Sequence, residues 1–278
     1  MTAGVFVAVL CAAVLHASWN AIIKFGEDKF QGMVLLSVAH GVIGLIMIAI
    51  FPMPAKGAIP WLVASVAFHL WYKFFLSSAY ERGDLSRVYP IARGAAPMLV
   101  LVISALFLSD VISGKEVTGI VAVGIGILIL ARGVFTSGET VALLPFALAS
   151  AIGTAGYSIT DGMGARASGD ASGYVGWLFF LDAFLFTVWG IQRRGWAIFP
   201  RATKVWALGF VAGLASVLAY WIAVWAMTIA PIALVAALRE TSVMFAVLIG
   251  ILFFKEKADW GKLVASGVII AGVLFMRF

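Results

Sequence analysis

Charge is scarce in this chain. Only 12% of its 278 residues are Asp, Glu, Lys or Arg, against roughly a quarter in an ordinary soluble domain. Cysteine is nearly absent. Cys11 is the single one, which excludes an internal disulfide and a multi-Cys zinc site, and its place inside an apolar run suits a small buried residue. Asparagine occurs once, as Asn20. There is no Gly-x-x-x-x-Gly-Lys-Ser/Thr segment to cradle nucleotide phosphates and no His-Glu-x-x-His. The three histidines, His16, His40 and His69, fall in three different apolar runs, so the paired spacing of a helical metal site is missing. No catalytic residue, metal or cofactor is assigned on these grounds.

What is present is apolar. Hydrophobic residues make up 63% of the chain, and the mean hydropathy is +1.09. That much apolar side chain exceeds what a soluble core can hold, and several runs approach the roughly 20 residues that cross a bilayer. Spanning segments must satisfy their own backbone groups, so helices are expected. A membrane barrel would alternate apolar and polar residues, and runs such as Val121 to Ala131 do not. Ten apolar runs are predicted as spans: Ala3–Ile23, Gly32–Phe51, Ile59–Tyr80, Ser86–Leu108, Val117–Ala131, Val141–Met163, Tyr174–Ile191, Val205–Ile229, Ile232–Phe254 and Leu263–Phe278. The first lacks a basic lead and a cleavage pattern and is taken as a span rather than a signal peptide. Pro60, Pro145 and Pro231 are expected at or near the first turns of spans three, six and nine. The net charge of +6 comes from Lys and Arg that sit mostly in short loops, where they act as topology signals rather than as a nucleic-acid surface.

The two halves of the chain are alike. Residues 93–110 placed over 239–256 match Arg, Met, Ile, Leu and Phe without a gap, and both end on an acid, Asp110 and Glu256. The next span is short in each half, with glycines five apart: Gly119 and Gly124 against Gly267 and Gly272. Two repeats are therefore expected, residues 1–135 and 141–278. Five spans is an odd number, so the copy must enter the membrane in the opposite orientation. Inverted repeats are common in secondary transporters, whose site lies near the midplane between the halves.

Polar groups at membrane depth are expensive and mark a cavity or a partner. His16, Asn20 and Lys24 are four apart on span one, beside Trp19. On span three, His69, Lys73, Ser77 and Tyr80 share a face near Tyr72, and on span six Ser150, Thr154, Ser158 and Asp161 do so near Tyr157. Span eight carries Ser216 and Tyr220 beside Trp221 and Trp225. Sliding span one onto span six places His16 on Thr154, Trp19 on Tyr157 and Asn20 on Ser158. The same exercise puts His69 and Lys73 on Ser216 and Tyr220. For isolated Ser and Thr, hydrogen bonding between helices is the better account; for Asn20, Lys73 and the arginines the cavity is favoured.

Six charged residues lie within spans: Lys73, Arg93 and Arg239 against Asp161, Asp182 and Glu240. The signs balance. An internal ion-pair network explains this without a substrate; a cavity of both signs with Trp19, Tyr72, Tyr89, Tyr157, Trp221 and Trp225 also suits a zwitterion with an apolar side chain. Trp61, Trp196, Trp206 and Trp260 lie near span ends and are expected as interfacial anchors. Span four contains Pro90 and Pro97, whereas Val243 stands at the position equivalent to Pro97, so span four is expected to bend more than span nine and to act as a gate.

His16-Ala-Ser-Trp-Asn20-Ala-Ile-Ile-Lys24, the segment Tyr89–Arg93 and the acids closing spans four and nine resemble the drug/metabolite transporter superfamily in its ten-span EamA-type branch. The resemblance covers the whole chain and is nearest to YddG-type exporters of aromatic and other neutral amino acids. It implies an all-α integral membrane protein: ten transmembrane helices in two inverted five-helix repeats around a central cavity. Spans one, three, four, six, eight and nine would line that cavity, with five and ten outside. The expected function is secondary export by alternating access in a bacterial cytoplasmic (inner) membrane. A monomer with a small-molecule substrate and the bilayer as its partners is expected. A multidrug or nucleotide-sugar carrier is the alternative, and an intramembrane enzyme is disfavoured. Asp161 or Glu240 is the candidate proton carrier, and facilitated diffusion stays open. The Lys and Arg count puts both termini outside the cytoplasm, whereas the resemblance implies cytoplasmic termini.

Overall fold

The structure is a computed structural model that describes residues 1–26, 28–80, 85–130, 140–254 and 260–278. Eleven α-helices are present among the described residues, and no strand. They are α1 (Ala3–Phe25), α2 (Lys29–Ile50), α3 (Ile59–Tyr80), α4 (Leu85–Phe107), α5 (Gly114–Leu130) and α6 (Thr140–Ser168). The remainder are α7 (Ala171–Arg194), α8 (Thr203–Ile229), α9 (Ile232–Glu240), α10 (Ser242–Phe254) and α11 (Trp260–Arg277). Among the described residues, seven stretches are long and apolar enough to cross a membrane, α9 and α10 counting together as one; Arg93–Phe107 is a shorter apolar helix.

Local chemistry starts and stops these helices. Thr2, Asp28 and Asp170 accept hydrogen bonds from the first turns of α1, α2 and α7. Ser113 and Glu116 close a reciprocal capping box at α5, with the Ser113 N–H donating to the Glu116 carboxylate at 2.8 Å and the Glu116 N–H to the Ser113 hydroxyl at 3.3 Å. Gly195, at φ +66°, ends α7 in a conformation that a side chain would strain. Pro231 is the N-cap of α9, as a missing N–H permits. Pro145 lies inside α6, just past the first turn that begins at Thr140.

Several helix contacts recur when the first-half helices are exchanged for their second-half counterparts. α3 lies on α6 as α8 lies on α1, and α4 lies on α6 as α9 and α10 lie on α1. The pairs α2 with α7 and α5 with α11 map onto themselves. At these self-paired contacts backbones touch. A Cβ on Gly119 would fall 2.6 Å from the Gly272 carbonyl oxygen, and one on Gly44 would fall 2.8 Å from that of Gly176. The other two glycines of the five-residue pattern do not meet: Gly124 faces Met98, and Gly267 faces open space.

Span nine, not span four, is the interrupted one. α4 runs unbroken through Pro97, whereas Thr241 separates α9 from α10. The Thr241 hydroxyl and N–H both donate to the Leu238 carbonyl, at 2.6 and 3.1 Å, tightening the chain to a three-residue step. A side-chain hydroxyl that bonds a carbonyl of the preceding turn competes with the backbone ladder at that point. Every residue of α9 is buried. Outward-facing Leu45, Val63, Leu106, Val211 and Leu263 are half or more exposed and suit lipid, while Trp196 and Trp260 are exposed at helix ends.

Candidate functional site

A cavity of about 90 Å³, room for several waters, lies between the halves. Its walls are His16, Trp19 and Asn20 of α1, His69, Tyr72 and Lys73 of α3, Tyr157 of α6, Ser216 and Tyr220 of α8 and Arg239 of α9. These sequence-predicted residues do converge. The cavity also takes Lys29 and His40 from α2 and Phe179 and Asp182 from α7, two helices that the resemblance left out of the lining. Asp182 was legible as a mid-span acid, but nothing in the sequence put span seven on the inside. α4 contributes no lining residue among the described ones, because Arg93 sits behind the wall, 1% exposed.

Three polar clusters surround the cavity. In the first, the fully buried Asp161 carboxylate receives four donors. Ser65 and Tyr174 donate to Oδ1, the latter at 3.0 Å, while Tyr220 and His69 Nε2 reach Oδ2, the latter at 3.1 Å. An ionised carboxylate is acceptor-only, so His69 presents its Nε2 proton here. The His69 ring stacks on Tyr157 at 4.3 Å, which fixes its plane. In the second cluster, the Lys73 ammonium pairs with Asp182 Oδ2 and donates to the Ser37 hydroxyl at 3.1 Å.

The third cluster joins the halves. Arg93 Nε lies 2.9 Å from Glu240 Oε2, close enough for an ion pair but out of line for a hydrogen bond, and Arg239 Nη2 lies 3.6 Å from Glu240 Oε1. Glu240 thus bridges the two arginines that align in the repeat. Arg93 Nη2 also meets His16 Nε2 at 2.5 Å. Arginine only donates, so Nε2 is the accepting nitrogen of a neutral imidazole. Nδ1 then carries the proton, and the Trp19 N–H at 3.3 Å is an edge contact rather than a bond. Arg239 is held loosely: Nη2 donates to Tyr157 Oη at 3.4 Å and Ser158 Oγ at 3.3 Å, while Nε has no partner among the described residues. Its guanidinium lies over the Tyr157 and Tyr220 rings at 5.5 and 5.4 Å.

Other expectations fare differently. Thr154 and Ser158 donate back to carbonyls one turn earlier, at 3.0 and 2.7 Å, as local hydroxyls do. Trp221 donates to Ser172 Oγ at 3.1 Å and stands edge-on to Phe51, outside the cavity lining. Trp225 is 41% exposed and also off the lining, because its position on α8 points it outward. Pro97 is buried within α4. The side chains of Tyr80, Tyr89, Pro90, Lys24 and Ser77 lie outside the described residues. No group of three or more His, Cys, Asp or Glu is placed to hold a metal among the described residues.

The two ends of the bundle differ. At the end where α4, α6 and α8 finish, Arg166 grips Asp110 with Nη1 at 2.7 Å and Nη2 at 3.1 Å. It also donates to the Met227 and Ala230 carbonyls, and Asp110 accepts the Ile232 N–H at 2.9 Å. The cavity lining reaches the opposite end, at Ile23, Lys29 and Met33.

Residues 142–278 match the EamA-like transporter family. That match falls on the second half of the chain and marks it as similar to EamA-like transporter domains. A solved crystal structure is similar to the whole chain, with a TM-score of 0.79 at 16% sequence identity, covering 99% of this chain and 96% of that chain. At that identity the likeness shows the fold alone. A search of curated proteins finds no match. The EamA-like domain supplies Tyr157, Asp161, Asp182, Ser216, Tyr220 and Arg239 to the cavity region, and the first half supplies His16, Trp19, Asn20, His69 and Lys73. The EamA-like match over residues 142–278 points to a membrane transporter domain, and the described helices of membrane-spanning length agree with it.

Proposed function

We propose that the protein is a secondary exporter of aromatic and other neutral amino acids in a bacterial inner membrane. It crosses the bilayer ten times as two inverted repeats, residues 1–135 and 141–278, and works by alternating access. The observation that carries this reading is the composition of the cavity wall: Trp19, Tyr72, Tyr157, Phe179 and Tyr220 surround Lys73, Asp182 and a loosely held Arg239. A zwitterion leaves the balanced charge of such a site unchanged, its carboxylate can meet the Arg239 guanidinium, which lines the cavity and shares Glu240 with Arg93, and its side chain has aromatic faces to stack on. The exchange-symmetric helix contacts support the repeat, and one tied end with one reached by the cavity supports alternating access. A nucleotide-sugar carrier fits less well. A diphosphate needs several uncommitted cations, and Lys73 is already paired with Asp182.

Flux assays in proteoliposomes with phenylalanine, threonine, a nucleotide sugar and a cationic dye test the reading. Saturable phenylalanine flux, competed by unlabelled neutral amino acids, is expected; flux of the sugar nucleotide or dye alone would refute it. Flux that stays flat across imposed pH gradients would remove Asp161 and Glu240 as proton carriers.

A further inference from the structure

Three polar atoms in one corner of the cavity lack partners. Both ring nitrogens of His40 and Oδ1 of Asp182 find no hydrogen bond among the described residues. His40 is 4% and Asp182 1% exposed, and both line the cavity. They stand at one level. A Cβ on Gly41, next to His40, would lie 3.2 Å from the Cβ of Ala183, next to Asp182. The His40 ring lies 4.5 Å from that of Phe179, three residues before Asp182 on α7. Lys73 of α3 closes the corner by bonding both Ser37 of α2 and the other Asp182 oxygen. Buried polar atoms without partners are costly and uncommon in folded proteins, so a cluster of them on a cavity wall calls for a ligand that supplies the bonds.

Charge selects the ligand's chemistry. Lys73 already neutralises Asp182, so an anion or a bare cation placed here would bury a net charge, which is strongly unfavourable. A neutral donor buries none. Asp182 Oδ1 can only accept, a neutral imidazole offers one acceptor and one donor, and the Phe179 face can stack on a ring.

We infer that this corner, built from α2, α3 and α7, is a specificity subsite that reads a neutral N–H or O–H donor on the substrate's aromatic side chain, such as an indole N–H or a phenol O–H. His40 and Asp182 are the residues that read it. The inference rests on the cavity being the amino-acid site proposed above.

The test uses the full chain in proteoliposomes and two matched pairs of probes. One is tryptophan against 3-benzothienylalanine, in which sulfur replaces the indole N–H; the other is tyrosine against phenylalanine. The donor-bearing member of at least one pair is expected to enter about tenfold faster at limiting concentration, the size of one buried hydrogen bond. His40→Phe should bring that ratio close to one, and His40→Gln, which keeps a donor and an acceptor, should restore part of it. Equal rates within both pairs for the wild-type chain overturn the inference without any variant, as does an undiminished ratio in a folded His40→Phe protein. Flux of all four probes at equal rates leaves the transport reading standing and removes only the subsite; absence of flux for all four removes both.

Discussion

Glu240 is the residue whose loss should be felt most, because it stands between two arginines that are each 1% exposed. At an effective dielectric constant of about 20, Coulomb attraction across 2.9 Å to Arg93 is about 6 kcal/mol and across 3.6 Å to Arg239 about 5 kcal/mol. Most of that is offset by the desolvation of the three groups. Removing one partner of a buried pair typically leaves a net loss of about 3–5 kcal/mol, because the charge left behind stays desolvated. Asp161 cannot take over, since four donors already fill it. Glu240→Gln keeps the shape and removes the charge. Its unfolding temperature in detergent, followed by tryptophan fluorescence, should fall on the order of 10 °C. Adding Arg93→Met should recover part of the loss, with a coupling energy above about 1 kcal/mol in the double-mutant cycle. A Glu240→Gln protein that melts within about 2 °C of wild type would refute the claim that this carboxylate holds the halves together.

The other expectations are smaller in scope. Lys73→Met should destabilise the fold by about 3 kcal/mol, whereas Lys73→Met with Asp182→Leu should come close to wild type, because the double change leaves no unpaired charge; thermal melts of the three proteins check this. Gly119→Val should weaken the α5–α11 contact by about 1–3 kcal/mol, since its Cβ would sit 2.5 Å from Met276 Cγ and 2.6 Å from a carbonyl oxygen; a melt unchanged from wild type would contradict the close approach. Trp225→Ala should leave phenylalanine flux unaltered, because the side chain points away from the cavity. A reporter fused after Phe278 decides between the charge-derived and resemblance-derived orientations.

Much of the site could be read from spacing. His69 and Lys73, four apart on one span, and Tyr157 and Asp161 on another, reached the same region because a helix puts such residues on one face whatever packs against it. Trp221 and Trp225 failed for a related reason. They share span eight with Tyr220, but each residue turns the side chain by about 100°, and only the bundle's packing determines which direction is inward. His40 and Asp182 were visible as polar residues within spans, but their place on the cavity wall beside Phe179 was not, because no periodicity says that α2 and α7 reach the centre.

Scarcity of charge and the length of the apolar runs determined lipid as the solvent and helix as the element, because a backbone without water must bond to itself. The alignment of Arg93 with Arg239 pointed to a repeat. Tertiary structure alone decided that these two arginines share Glu240, that Asp161 gathers its donors from α3, α7 and α8, and that Thr241 rather than Pro97 interrupts the helix. Ion pairs and hydrogen bonds between spans depend on the rotation and depth of each helix against its neighbours. Those are set by side-chain packing summed over the whole bundle, which no single stretch of sequence contains.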